Sequence, residues 1–151
     1  MAKADIRQLA SDEPDYVLER QVGHLLRRAH QRHSAIFQEN IGDSQLTPLQ
    51  FAALIKLADL GTASQNQLGR LIAMDAATMQ GVIKRLAARG LIHRRPDPDD
   101  RRRLILSLTA DGRALADGAV AAAAGITRLT LDPLNAAEQR EFLALLERLA
   151  E

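Results

Sequence analysis

The sequence of 151 residues contains no cysteine. This absence excludes disulfide bonds, thiolate zinc sites, cysteine nucleophiles and the sensing of peroxides through a thiol. The sequence also lacks an uninterrupted run of about 18 apolar residues, and it has no charged-then-apolar leader. We therefore expect neither a membrane span nor a secretory signal, and we expect a cytoplasmic protein.

The motifs of the common enzyme classes are missing as well. The sequence has no glycine-rich phosphate loop, no nucleophile elbow and no pair of carboxylates at a useful spacing. We therefore predict that the protein is not an enzyme and uses no cofactor. The composition is that of a globular protein, with 46% hydrophobic and 26% charged residues, and the chain is long enough to bury a core within one domain.

Basic residues are concentrated in one part of the chain. Residues 84–103, the basic cluster, contain eight Lys or Arg and three Asp, a net charge of +5 that leaves −4 for all other residues. Such a concentration is expected where a protein meets phosphates, although a charge run by itself is more often a solvated, salt-bridged face. At its centre is the stretch RRPDPDDRRRLILSLT, residues 94–109, which places three aspartates and two prolines between two groups of arginines.

Helical periodicity covers both ends of the chain and most of its first half. Apolar residues recur at helical spacing from about Pro14 to residue 41, and five further helical patterns follow. Side chains that can cap a helix precede these patterns, and glycines follow several of them. The predicted caps are Thr47 before Pro48, Ser64 with Gln67, Asp75, Thr109, and Asn135 with Glu138, and the predicted ends are Gly42, Gly61 and Gly90.

After Gly90 the pattern changes from helical to extended. Residues 91–95 form a short extended segment, residues 96–100 a turn, and residues 104–108 an alternating strand, which predicts a β-hairpin directly after a helix. The predicted order is α-α-α-α-β-β-α-α, a mainly helical fold with a small β-hairpin wing. Two short helices joined by a tight linker and followed by a hairpin are typical of a winged helix-turn-helix.

The helices at the two ends carry more apolar surface than one small domain can cover. We therefore expect them to pack against a second copy of the chain about a two-fold axis. On this interpretation residues 1–151 form a single domain, in which residues 14–41 and 109–151 are dimerisation helices. Residues 47–108 are then the DNA-binding lobe.

In such a lobe the helix at residues 75–89 would enter the major groove of DNA, and the hairpin would reach the backbone or the minor groove. We expect Asp100 to hold an arginine guanidinium bidentately, which would lessen the entropy lost when Arg102 enters a narrow minor groove. Arg101 and Arg103 would contact phosphates. The predicted DNA-binding residues are Ser64, Gln65, Ala77, Thr78, Gln80, Gly81, Lys84, Arg85, Asp100, Arg101, Arg102 and Arg103.

Three stretches of the sequence resemble the MarR family of regulators. DPDDRRRLILSLTADG is similar to the wing of that family, MDAATMQGVIKRLAARGLI to its recognition helix and the exit from it, and LTPLQFAALIKL to its second helix. The resemblance covers residues 16–150, although Gly81 stands where many members carry a polar or basic residue. It implies a homodimer that binds a near-palindromic operator and represses nearby genes until a small ligand binds between the DNA-binding lobe and the dimer helices.

The segment QRHSAIF resembles the corresponding segment of family members that respond to hydroxybenzoates. A pocket there would offer a cation to a carboxylate, His or Ser to a ring hydroxyl or nitrogen, and aromatic rings as flat walls. We therefore hypothesise an effector of the hydroxybenzoate or hydroxynicotinate type, although a lone histidine on an apolar stripe is more often a core or interface residue. The candidate ligand-binding residues are Arg20, His24, Arg27, His33, Ser34, Phe37 and Phe51.

Two alternatives remain open. Winged helices also bind proteins, so the chain can be an interaction module that does not bind DNA. The family also contains zinc-responsive regulators, and His30 and His33 share a helix face, but those sensors use further histidines from the fifth helix, where this sequence has none. The stretch at residues 97–100 lacks the glycine and the distal glutamate of a calcium loop. We therefore predict no metal site.

Overall fold

The computed structural model describes residues 16–43 and 45–151. The chain divides into two compact units, Met1–Arg32 and His33–Glu151. In the first unit a 3-10 turn at Leu18–Arg20 is followed by Gln21, whose extended backbone prevents the helical hydrogen bonds from continuing, so that helix α1 begins only at Val22. The predicted start near Pro14 lies outside the described residues, and between residues 16 and 21 the chain is not an α-helix.

Six α-helices account for most of the described chain, as the sequence predicts. The starts of all of them except α1 are set by polar side chains that accept hydrogen bonds from backbone N–H groups of the first turn. The bounds are α1, Val22–Asn40; α2, Pro48–Leu60; α3, Gln65–Leu71; α4, Ala76–Ala88; α5, Ala110–Leu131; and α6, Ala136–Ala150.

The predicted caps are present, with one difference. Thr47 and Asn135 form full capping boxes at the starts of α2 and α6. At α3 only half of the predicted box forms: the Ser64 hydroxyl accepts from the N–H of Gln67 at 3.1 Å, but no bond returns from the Gln67 side chain. Gly61 and Gly90 adopt positive φ angles of 76° and 70° after α2 and α4, which stops those helices where the sequence predicts.

The small sheet has three strands rather than the two of a simple hairpin. Strands β2 (Ile92–Pro96) and β3 (Leu104–Leu108) form the predicted hairpin, which we call the wing. An unpredicted strand, β1 (Thr62–Ser64), pairs antiparallel with the other edge of β3, giving the order β1-β3-β2. A three-residue segment between two helices has no periodicity of its own, so only its pairing with β3 makes it a strand.

The hydrophobic core lies where α2, α3, α4 and the sheet meet. Leu54, Leu57, Leu68, Leu86 and Leu106 are completely buried there. The buried side of α4 and the buried side of the wing therefore share one core, so that each is held at a fixed position relative to the other.

Helix α5 is long and apolar enough to cross a membrane by length and composition alone. This is weak evidence, because a core helix of a soluble protein passes the same test. In the second unit Ala116, Ala119 and Ile126 of α5 are buried in the hydrophobic core.

Candidate nucleic-acid interface

A groove with a volume of about 270 Å³ lies between the wing, the start of α3 and the side of α4. It brings together five of the predicted DNA-binding residues, which are far apart in the sequence: Ser64, Gln65, Gln80, Arg102 and Arg103. The sequence analysis missed two further lining residues, Asn66 and Leu104. Asn66 could have been found as the polar neighbour of Gln65 in the first turn of α3, whereas Leu104 has only the apolar signal of a strand residue.

The outer face of α4 carries the other predicted contacts. Met79, Val82, Ile83 and Leu86 are buried on the opposite face, so the exposed residues of the helix point away from the core. Those predicted for DNA are Ala77, Gln80, Lys84 and Arg85, all of which are exposed, while Gly81 is partly buried.

Gly81 has a specific neighbour on this face. A Cβ atom at Gly81 would lie 3.4 Å from a guanidinium nitrogen of Arg85, one helical turn later. The guanidinium of Arg85 therefore lies beside the glycine, close to the middle of the outer face. The absence of a side chain at Gly81 thus leaves this position to a cation from the next turn.

Thr78 belongs to the cap of α4. Its N–H donates to one carboxylate oxygen of Asp75 and its hydroxyl donates to the other, both at 2.8 Å. These two bonds hold the pKa of Asp75 below its ordinary value, because they stabilise the ionised carboxylate. The hydroxyl proton of Thr78 is thus used within the helix cap, which leaves the hydroxyl oxygen as the group that can accept a hydrogen bond from DNA.

The tip of the wing is held together by backbone hydrogen bonds. The N–H of Asp97 donates to the carbonyl of Arg103, and the N–H of Arg103 donates to the carbonyl of Asp100, each at 2.9 Å. The N–H of Asp99 also donates to the Asp97 carboxylate at 2.9 Å. These bonds close the turn that the prolines and aspartates predict.

The predicted role of Asp100 is wrong in its detail. Its carboxylate accepts from the backbone N–H of Arg102 at 3.0 Å and does not hold a guanidinium. The reason is local, because the amide two residues ahead is the donor that an aspartate at this point of a turn reaches first. Asp100 therefore fixes the backbone of the tip, from which the exposed side chains of Arg101 and Arg102 project.

Arg89 is the member of the basic cluster with the closest ion pair among the described residues. Its guanidinium donates a hydrogen bond to the carboxylate of Asp43, in the loop between α1 and α2. This bond is the main reason why the pKa of Asp43 lies below its ordinary value, and burial of the carboxylate opposes it. The net charge of +5 counted from the sequence therefore overstates the charge that faces solvent.

The candidate ligand-binding residues fall in both compact units. In the first, Arg20 is exposed in the 3-10 turn, and a guanidinium nitrogen of Arg27 lies 3.1 Å from Nδ1 of His24, which accepts the bond. In the second, Phe37 is buried in the core, and its ring meets that of Phe51 edge-on at a centroid distance of 5.8 Å. His33 and Ser34 are partly buried.

His33 has a partner that the sequence analysis missed. Its Nδ1 lies 3.0 Å from the hydroxyl of Thr130, in the last turn of α5, and that hydroxyl donates to the carbonyl of Ile126 at 2.8 Å. Since the hydroxyl has a single proton, Nδ1 must be the donor in its bond with Thr130. Positions 33 and 130 share no sequence pattern, and only the tertiary structure of the second unit, which brings residue 33 beside Thr130, could reveal the pair.

The described parts of the chain, 16–43 and 45–151, contain no group of three or more His, Cys, Asp or Glu side chains that could hold a metal ion. The pair His30 and His33 therefore gains no third ligand of these types from the described residues.

The residues that line this groove all lie in a part of the chain that matches a known protein family. A model of the MarR family matches residues 46–104, which hold α2 to α4 and most of the wing. The transcriptional repressor NicR of Pseudomonas putida is 45% identical over 140 residues, which are 93% of this chain and 89% of that protein.

Two solved structures are similar over nearly their whole length. A probable transcriptional regulator from Pseudomonas aeruginosa is 52% identical with a TM-score of 0.85, covering 88% of this chain and 99% of that one. BpsR of Bordetella bronchiseptica, whose DNA binding is regulated by 6-hydroxynicotinic acid, is 47% identical with a TM-score of 0.85, covering 91% of this chain and 98% of that one. The chain belongs to the MarR family of winged helix-turn-helix transcriptional regulators.

Proposed function

We propose that this protein is a cytoplasmic repressor that binds a two-fold symmetric operator as a homodimer and leaves it when a small hydroxylated aromatic acid binds. Regulators of the family bind operator DNA and dimerise. In this proposal residues 47–108 are the DNA-binding lobe of a single domain, and residues 14–41 and 109–151 are its dimerisation helices. Helix α4 enters the major groove and the wing contacts the flanking backbone and minor groove.

The observation that carries the DNA-binding role is the groove between α3, α4 and the wing. Polar side chains from three elements converge on it, and two of the three consecutive arginines of the wing tip line it. Hydrogen-bond donors and cations arranged in this way suit the phosphates and base edges of a duplex. Gln80 of α4 lines this groove. The exposed side chains of Ala77, Lys84 and Arg85 on the same helix supply further contacts to the major groove.

Exposed apolar side chains on the last two helices support the dimer. Val120 and Leu129 of α5 are 54% and 46% exposed, and no residue of α6 is buried. Leu143, Leu145 and Leu149 of α6 are between 42% and 70% exposed. A second copy that covered these residues would remove their apolar side chains from water, which is the usual driving force of homodimer formation.

The proposed effector rests on the relatives and on the residues around His33. NicR is a repressor by name, and 6-hydroxynicotinic acid regulates BpsR. His33 and Thr130 place a ring nitrogen and a hydroxyl between α1 and α5, with the rings of Phe37 and Phe51 in the same unit. Such groups can recognise a ring hydroxyl or a ring nitrogen of an aromatic acid. Arg20, His24 and Arg27, which lie in the first unit, remain candidate ligand-binding residues.

The DNA-binding role is tested with Arg102→Ala, which removes a cation from the wing tip while leaving the backbone bond of Asp100 intact. We expect operator affinity to fall about tenfold or more, as for a side chain that contacts a groove or phosphate, while the melting temperature stays unchanged. Lys56→Ala, which removes a basic side chain on α2, is the matched control and should bind normally. Equal affinities of Arg102→Ala and the wild type in a gel-shift assay would refute the role of the wing.

The effector class is tested by thermal unfolding with single compounds. We expect 6-hydroxynicotinate and 4-hydroxybenzoate to raise the melting temperature and to release the protein from its operator, since a ligand that binds the folded state stabilises it. Benzoate, which lacks the hydroxyl group, is the matched control and should act more weakly. If none of these acids shifts the unfolding temperature at millimolar concentration, the proposed effector class is wrong.

A further inference from the structure

The C-terminal end of the recognition helix α4 is tied to the loop between α1 and α2. Arg89 caps α4, and its guanidinium donates to the carboxylate of Asp43, which lies 46 positions earlier in the sequence. The two side chains are only 27% and 21% exposed. An ion pair that is partly buried in this way is screened less by salt than a surface pair, so the bond is expected to persist under the conditions in which DNA is bound.

The carboxylate of Asp43 is itself held in place. Its second oxygen accepts from the N–H of Gln45 at 2.9 Å, and its backbone carbonyl accepts from the N–H of Leu46 at 3.1 Å. Leu46 is completely buried, and the capping box of Thr47 follows directly. The acceptor of the ion pair therefore belongs to the corner that joins α1 to α2, and the backbone N–H groups of Gln45 and Leu46 hold it there.

Gly90 and Leu91, the residues that follow the end of α4, are also fixed by hydrogen bonds to the start of α5. The hydroxyl of Thr109 donates to the carbonyl of Gly90 at 2.7 Å, and the N–H of Thr109 donates to the carbonyl of Leu91 at 3.1 Å. The exit of the recognition helix thus lies between the corner of α1 and α2 on one side and the first turn of α5 on the other. Both α1 and α5 are helices to which we assign dimerisation.

We propose that Arg89 and Asp43 are positioning residues, whose ion pair sets the orientation of the recognition helix relative to the corner before α2 and to dimerisation helix α5, and hence its fit to the operator. This inference rests on the proposed DNA-binding function. It assigns to Arg89 a role different from that of the other cations of the basic cluster: the guanidinium acts through Asp43 and not through a phosphate. The two roles make opposite predictions for the removal of Asp43.

If Arg89 contacted DNA, removal of Asp43 would strengthen binding, because it would free a cation and delete an anion near the duplex. If Arg89 positions the helix, removal of Asp43 weakens binding to the operator. We expect Asp43→Ala to lower operator affinity about tenfold, in the range that is found for residues of coupling networks. Affinity for non-specific DNA should change less than twofold, because that binding depends on phosphate contacts, which the variant retains.

The operator is obtained by selecting a duplex from a random-sequence library with the wild-type protein. Affinities of Asp43→Ala, Asp43→Asn, Arg89→Ala and the double variant are then measured against this duplex and an unrelated one at several salt concentrations. We expect the double variant to bind no worse than either single variant, and the slope of log affinity against log salt to stay at the wild-type value. Arg101→Ala, in contrast, should reduce that slope by about one.

Two controls separate positioning from loss of the fold. Asp59→Ala removes an aspartate from an exposed pair with Lys56 and makes the same change of charge, so it should leave operator affinity unchanged. A second duplex with its half-sites moved apart by one base pair measures the fit directly, and Asp43→Asn should discriminate less between the two spacings than the wild type. Thermal unfolding identifies any variant that does not fold, and Asp43→Asn, which keeps the size of the side chain, is then the variant to compare.

The inference is overturned if Asp43→Asn and Asp43→Ala fold and keep the operator affinity and the spacing preference of the wild type. Tighter operator binding by either variant would also overturn it. A reduced salt slope for Arg89→Ala would assign Arg89 to a phosphate instead. If the wild type selects no two-fold symmetric duplex, the proposed function itself fails, and this result is distinct from a failure of the positioning role.

Discussion

Gly112, in the first turn of α5, lies directly against the backbone at the exit of α4. A Cβ atom at this position would lie 1.9 Å from the carbonyl oxygen of Leu91, whereas Cβ atoms essentially never come closer than 3.0 Å to such a neighbour. Gly112→Ala therefore forces the start of α5 away from Leu91 by about 1.1 Å. The atom it meets is backbone, so no flexible side chain can give way.

This displacement acts on a small network of hydrogen bonds. The same carbonyl of Leu91 accepts from the N–H of Thr109 at 3.1 Å, and the hydroxyl of Thr109 donates to Gly90 at 2.7 Å. Overpacking of a buried site costs about 1–3 kcal/mol, and each of two weakened bonds adds about 1 kcal/mol. The higher helix propensity of alanine returns up to about 1 kcal/mol. We therefore expect Gly112→Ala to lower the free energy of unfolding by about 3 kcal/mol.

Urea unfolding followed by circular dichroism measures this change, with the protomer concentration held constant because stability of an oligomer depends on it. The matched control is Gly118→Ala in the same helix, where an added Cβ meets nothing within 4 Å in the chain. It should be neutral or stabilising by up to about 1 kcal/mol. Ordinary surface substitutions change the free energy of unfolding by less than about 0.5 kcal/mol. If the Gly112→Ala variant unfolds with a free energy within this range of the wild type, the close contact between the start of α5 and Leu91 is refuted.

Three further predictions concern salt, pH and the effector. Operator affinity should fall steeply between about 50 and 200 mM salt, because several phosphates are neutralised on binding, and a flat dependence would contradict phosphate contacts by the wing. The cap of α4 lowers the pKa of Asp75 in the folded state. The ionised carboxylate therefore stabilises the fold at pH values above its ordinary pKa of 3.8, and this stabilisation is lost as the pH falls through the lowered pKa. The difference in unfolding free energy between the wild type and Asp75→Ala should thus be constant above about pH 5 and shrink in stronger acid, and a difference that persists at the acid limit would rule out this titration. Finally, His33→Ala should blunt the response to hydroxylated aromatic acids without lowering operator affinity, and a variant with full ligand sensitivity would move the pocket elsewhere.

The sequence by itself determined the helices, their caps and the wing. Thr47, Asp75, Thr109 and Asn135 accept bonds from the turns that follow them, and these interactions span three residues or fewer. Alternation in residues 104–108 likewise indicates a strand, because a half-buried strand repeats every two residues. Signals of this kind are local, so they can be read in order along the chain.

Only the tertiary structure decided which of these residues meet. Strand β1 exists because β3 pairs with it. Arg89 looks like any other cation of the basic cluster until Asp43 is found beside it. Contacts across 46 or 97 positions leave no periodic trace in a single sequence, since they depend on how separate elements pack around a shared core.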